Sequence, residues 1–315
     1  MAETMEIREV SAAEYSEATG VAGHVFNSVA FTELNRVKAD DVHYLVFEDS
    51  KLRFGIILGE REDGFYSPFS APFGGFTACG VQRIRYMDEA VCLLRDYWRS
   101  GLMNTLKPVY ITLPPLFYDC SQLSKWANTL MRNGRLQHID LNYHFDLSRM
   151  SGYKDLIERN ARKNLQRALY EDFVFLKLDS TSSADIERAY SVIKANRNEH
   201  GYPLRMTLQA VKDTVEIIPA DFFILSHSGR DVAAAQVFHV SPGTAQVVYW
   251  GDLHAYSHLR TMNRLAYEMF TYYHGQGLRV LDIGPSTENG VPNHGLCEFK
   301  EGIGCAVSPK YSFEL

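Results

Sequence analysis

The chain of 315 residues contains no Cys-x-x-Cys pair, and its five cysteines, Cys79, Cys92, Cys120, Cys297 and Cys305, are scattered. An odd, dispersed set suits neither a disulfide framework nor a zinc knuckle, so reduced structural thiols are expected; only Cys297 has a local base, His294. No apolar run approaches the roughly 18 residues a membrane span needs. The amino terminus, from Met1 to Tyr15, mixes acids into the stretch where a signal peptide would be apolar. A cytoplasmic protein without a span is the expectation. A cationic surplus is missing too: 32 Lys and Arg stand against 38 Asp and Glu, net −6. That balance supplies no long-range attraction to phosphate backbones, so DNA is not an expected partner and tRNA is not favoured. His254 and His258 stand four residues apart with Asp252 nearby, but no third ligand follows and no His-Glu-x-x-His is formed, so no metal is expected.

What is present is enough apolar material for packed cores, 46% hydrophobic against 22% charged, in a length that suits two domains. Residues 43–60 give two β-rich runs around a polar turn, and 65–69 a third after Asp63-Gly64. A helical period over 82–101, ending on Gly101, leads to a buried strand at 108–114 stopped by proline. The same order returns: strands at 221–227, 232–240 and 245–250, a helix at 259–274, a strand at 279–284 before Pro285. Each half closes on a similar strand, Tyr143-His144-Phe145-Asp146-Leu147 and Tyr311-Ser312-Phe313-Glu314-Leu315. Repetition of a whole series of elements is the trace of a duplicated domain. The join is expected near Met150-Ser151-Gly152, dividing the chain into 1–150 and 151–315. The second half then opens with one long basic helix over 153–171, followed by a helix over 185–198 and a further helical piece near 207–217.

This repeated order, with Arg159-Asn160-Ala161-Arg162-Lys163-Asn164-Leu165 between the copies, resembles the Fem-type branch of the GNAT acyltransferases. Phe299-Lys300-Glu301-Gly302-Ile303-Gly304 is similar to that family's Phe-Lys-x-x-Phe-Gly signature, with Ile303 in place of the aromatic, and it follows Asp282-Ile283-Gly284 as the family pattern requires. The resemblance implies an α+β fold of two tandem GNAT-like domains, each a mixed, largely antiparallel sheet flanked by helices. It implies an N-acyltransferase that moves an acyl or aminoacyl group from acyl-CoA or aminoacyl-tRNA to an amine of a small molecule or cell-wall or polysaccharide precursor. The first domain takes the acceptor side and the second the catalytic side. The segment Trp250 to Leu265 has only Gly251, so the glycine-rich pyrophosphate loop of GNAT proteins is not formed, and the helical arm of many Fem-type enzymes is absent. A noncatalytic ligand-binding protein that keeps the double fold is therefore the alternative reading.

Acyl transfer needs a free amine, charge stabilisation for the oxyanion and a proton for the leaving group. The resemblance puts Lys300 in the stabilising role, with Phe299 beside it. Asp282, ending a central strand, is read as a general base, as a partner holding Lys300, or as a cap for the turn at Pro285-Ser286. Tyr249, Trp250 and Asp252 form either an acyl or sugar pocket wall or ordinary core packing. Arg162 and Lys163, with Arg159 on the same helical face, match the family's basic helix and reach a phosphate, or simply face solvent. Phe73, Gly74 and Gly75 stand where the family carries a loop near its acceptor; the glycines let a substrate approach the backbone or make a tight turn.

Overall fold

The structure, a computed structural model, describes residues 4–20, 22–100 and 107–315. The chain folds as two compact units, Met1–Leu141 with Ser308–Leu315, and Asn142–Val307. In the first, strand β1 (Glu6–Val10) and helices α1 (Ala12–Thr19) and α2 (Val29–Asn35) precede a meander, β2 (Asp41–Glu48), β3 (Leu52–Arg61) and β4 (Gly64–Ser67). A two-residue strand β5 (Thr77–Ala78) flanks β3. Helix α3 (Ile84–Ser100), strand β6 (Val109–Thr112), helix α4 (Cys120–Asn133) and strand β7 (Arg135–Asp146) follow. The expected helix end at Gly101 lies outside the described residues. Ser11 opens α1 with a capping box: its hydroxyl accepts from the Glu14 amide (3.2 Å) while its own amide donates to the Glu14 carboxylate (2.9 Å). β1, β2, β3 and β4 pair antiparallel in sequence, and β4 pairs β6 in parallel. Their inward residues, Leu45, Phe47, Phe54, Ile56, Phe65 and Ile111, bury against Leu94 and Trp98 of α3 and Trp126 and Leu130 of α4, with Phe65 stacked on Trp98 at 3.9 Å.

The second unit repeats the scheme. Helices α5 (Tyr153–Leu156) and α6 (Arg159–Tyr170), strand β8 (Phe173–Leu178) and helices α7 (Ser183–His200) and α8 (Leu208–Val215) lead into β9 (Ala220–His227), β10 (Arg230–Ser241) and β11 (Thr244–Asp252). Helix α9 (Thr261–Gly275), strand β12 (Val280–Pro285), the short hairpin β13 (Thr287–Glu288) and β14 (Val291–Pro292), and helix α10 (His294–Gly302) complete it. β8, β9, β10 and β11 pair antiparallel, and β11 pairs β12 in parallel. The chain thus has an α+β fold of two GNAT-like copies, each a mixed and largely antiparallel sheet with helices on it.

Two features depart from the sequence expectation. The single basic helix over 153–171 is broken: Ile157 is extended (φ −79°, ψ 152°) and buried, and the Glu158 amide donates to the Gly302 carbonyl at 3.0 Å. Burying Ile157 and pairing that amide with the end of α10 outweigh two residues of helix. The closing strands are also exchanged. The last strand, β15 (Ala306–Glu314), pairs with β6 of the first unit, Phe313 opposite Ile111. The end of β7 pairs with β12 of the second, Phe145 opposite Leu281. Each look-alike strand completes the sheet of the other copy.

Phe313 is 1% exposed and Phe145 0%, so truncating either to alanine is expected to cost about 3–5 kcal/mol. Amide hydrogen exchange should show Phe313→Ala loosening residues 41–67 and 109–112, and Phe145→Ala loosening 220–252 and 280–285. The reverse pattern would contradict the exchange.

Candidate active site

β11 and β12 run parallel through only three pairs, Thr244–Val280, Ala245–Leu281 and Gln246–Asp282. Beyond them β11 stays on β10 as far as Asp252, while β12 turns at an irregularity between Asp282 and Gly284, which adopts φ +76°. Only glycine takes that conformation readily. The strands part, and the backbone of β11 from Val247 onward loses its parallel neighbour. A second irregularity, between Gln236 and Val237, leaves Val248 as an extra residue in β11.

Lys300 holds the turn. Asn293 caps α10 by accepting from the Leu296 amide (3.1 Å), and Lys300 lies in the last turn of that helix, 3% exposed. Its Nζ donates to the carbonyls of Ile283 (3.1 Å), Gly284 (2.9 Å) and Pro285 (3.1 Å). An ammonium has three donors, and all three are used. Burial pushes its pKa down to about 8, with Cys305, Asp282 and Cys297 pulling the other way. The Tyr143 ring lies 5.3 Å from Nζ, and its hydroxyl donates to Glu301 at 2.7 Å. Asp282 is wholly buried: its carboxylate accepts from Asn142 Nδ2 (2.7 Å), the Gly284 amide (2.8 Å) and Gln246 Nε2 (2.8 Å). It therefore fixes the turn from below as Lys300 fixes it from above.

Along the parted strand, Trp250 meets Phe299 edge to face at 6.0 Å, and both are half-buried. Tyr249 carries the guanidinium of Arg197 over its ring at 5.3 Å, and Tyr202 lies on the same cation at 5.8 Å. Burial lowers the pKa of Arg197, and its Nε is buried without an acceptor. Gln236, opposite Tyr249 on β10, is 0% exposed with neither amide atom hydrogen-bonded. The guanidinium and the amide thus each keep buried polar atoms without partners. Neither Arg197 nor Gln236 is singled out by the sequence; the helical and strand patterns do not show that their polar atoms are buried without partners. Gly251 admits α7 closely: a Cβ there would lie 2.2 Å from Asn196 Oδ1, whose amide donates to the Asp252 carbonyl at 2.7 Å. The Asp252 side chain accepts from Thr261 at the start of α9, and burial raises its pKa.

The remaining sequence candidates lie on other elements. Arg162 and Lys163 are exposed on α6. Phe73, Gly74 and Gly75 belong to the first unit and are buried: Phe73 packs against His24 (5.0 Å), Phe26 (5.2 Å) and Tyr118 (4.9 Å). Gly74 donates to the Thr112 carbonyl (2.8 Å), and a Cβ on it would lie 2.8 Å from the Pro68 nitrogen. This loop takes the position beside β6 that β4 vacates, so the close approach the glycines permit is made by the chain itself. His254 is exposed, and no metal-holding cluster occurs among the described residues. Replacing Asp282 by Asn sets an amide group among three donors, and we expect a loss of about 1–3 kcal/mol. Chemical denaturation of Asp282→Asn against the parent protein measures it; an unchanged stability would contradict the strut.

No protein-family model and no curated protein sequence matches the chain. Solved structures do. FemX matches with a TM-score of 0.68 at 10% identity, over 98% of this chain and 96% of that one. L-PGS from Bacillus licheniformis matches at 0.58 and 13% identity, over 96% of this chain and 90% of that one. A tandem GNAT protein from the clavulanic acid biosynthesis pathway matches at 0.52 and 10% identity, over 99% and 98%. At these identities the likeness is one of fold: the chain shares the tandem GNAT architecture of these proteins.

Proposed function

We propose that the second unit transfers an acyl or aminoacyl group from an activated donor to an amine carried by a small molecule or by a cell-wall or polysaccharide precursor. The observation that carries this reading is the opening between β11 and β12, kept by the buried Lys300 on three consecutive carbonyls. An acyl group with an amide-bearing or peptide-like arm fits there, because the unpaired edge of β11 supplies main-chain hydrogen bonds. The first copy lacks the equivalent opening, since Gly74 fills it, and the chemistry is therefore assigned to the second.

The amine attacks the acyl carbonyl as its free base. A C–N bond forms, the bond to the donor's sulfur or ribose oxygen breaks, and the proton released by nitrogen passes to the leaving group. Lys300 contributes the field of a desolvated cation and the fixed shape of the turn; free amides of β11 at and beyond the Val248 bulge donate to the oxyanion. Asp282 fixes the turn that Lys300 holds, its carboxylate accepting three hydrogen bonds. Trp250 and Phe299 line the acyl side, and the half-buried Arg197 beside Tyr249 receives an anionic group of a substrate. Phosphates of the donor are not expected at the start of α9 in the usual GNAT manner, because the segment from Trp250 to Leu265 has only Gly251 where the glycine-rich loop would stand.

The test offers labelled acetyl-CoA, longer acyl-CoAs and charged tRNA with a panel of amines to the intact protein and to Lys300→Ala. Transfer that falls at least a hundredfold in the variant is expected; binding without transfer across the panel would turn the reading into that of a ligand-binding protein. The ammonium is complete below pH about 8 and lost above it. The rate should therefore decline as pH rises through about 8, and Lys300→Arg, if it retains activity, should move that decline upward.

A further inference from the structure

We propose that Tyr143 is a positioning residue for Lys300, its ring holding the lysine side chain in the charged form at the turn; the use of that charge rests on the transfer reading above. Tyr143 stands on β7 directly opposite Gly284, the middle one of the three residues whose carbonyls Lys300 binds. Glycine offers no cross-strand side chain, which leaves room for the ring beside the turn. The tyrosine is 0% exposed, its ring centroid lies 5.3 Å from Nζ, and its hydroxyl donates to Glu301 at 2.7 Å. Glu301 follows Lys300 in α10, so the bond that orients the ring and the ammonium it faces belong to one helix turn.

The three carbonyls use every donor of the ammonium but bring no net charge, and a lysine buried to this degree has lost its water. The other titratable groups around Nζ are engaged, hydrated or uncharged. Burial pushes the Cys305 thiol up to about 12 and lowers the His144 imidazole, so both are neutral near pH 8. Cys297, one turn back on α10, directs its Sγ to the Ser286 carbonyl. The Asp282 carboxylate already accepts three hydrogen bonds, and Glu301 and Glu158 are exposed to water. Tyr143 itself stays a phenol: burial, with Cys297 and Glu301 at its hydroxyl, pushes it far above its ordinary value. What it presents to Nζ is therefore the negative face of a neutral ring, which favours a cation over a neutral amine.

Nuclear magnetic resonance of the intact protein, with lysine isotopically labelled at Cε, follows Lys300 directly, its signal being assigned by its loss in Lys300→Arg. No donor or acceptor is needed, so failure of this inference is seen apart from failure of transfer. The parent signal should titrate near pH 8. Losing a group that favours the ammonium lowers that midpoint: Tyr143→Leu should titrate about one pH unit lower, while Tyr143→Phe, which keeps the ring, should stay close to the parent. Leucine leaves part of the space unfilled, so position 143 is also given phenylalanine with two or three ring fluorines, which withdraw charge from the ring face at nearly constant shape. The midpoint should fall with each fluorine, and in transfer assays the alkaline decline in rate should move with it. A midpoint indifferent to fluorination, or one at or above the parent's in Tyr143→Leu, would overturn the proposal.

Discussion

A single buried ammonium sets the geometry on which the second unit depends. Three successive carbonyls at the end of a central strand point the same way, and without donors two of them would be buried and unpaired. One lysine satisfies all three, and the desolvation cost of its charge is what satisfying them requires. A neutral side chain could pair with one or two at most. The turn, the glycine at its centre and the carboxylate beneath it form one device, in which removing any member leaves a buried polar group without its partner.

Most of the elements are legible in the chain because their period is local. Alternation and turn residues mark the two meanders, helical spacing marks the region of Leu265 to Phe270, and Phe299 to Gly304 announces itself as a motif. The break at Ile157 and Glu158 is not legible, since nothing in the helical pattern shows that the amide of Glu158 meets Gly302, far along the chain. Helix α4 escaped although Asp119 caps it and Leu123, Trp126 and Leu130 repeat at helical spacing; its mixed polarity hid the stripe. The role of Lys300 illustrates a limit of motif reading. The signature identifies the residue, but only its three acceptors show that it acts on the backbone.

The two copies have diverged in what they do with the same fork in the sheet. In the first, Gly74 and the buried Phe73 close it, and Thr112 bonds Ser312 at 2.9 Å across the neighbouring strand. In the second, Asp282 stands at the matching register and gathers three donors around a turn that stays open. The first copy has the closed fork and the second the polar network, an outcome that duplication permits because a closed fork folds as well as an open one.

The crossing of the closing strands bears on how the protein is made. During synthesis the first unit holds its meander and helices early, yet its sheet lacks the strand beside β6 until residues 308–314 have left the ribosome. The second unit, by contrast, receives β7 before any of its own sheet exists. Neither copy can therefore be finished as a separate product in the order of its sequence. Long-range closure of this kind slows the last step of folding and couples it to the whole chain, so an interrupted chain leaves a hydrophobic strand edge on β6 without its neighbour.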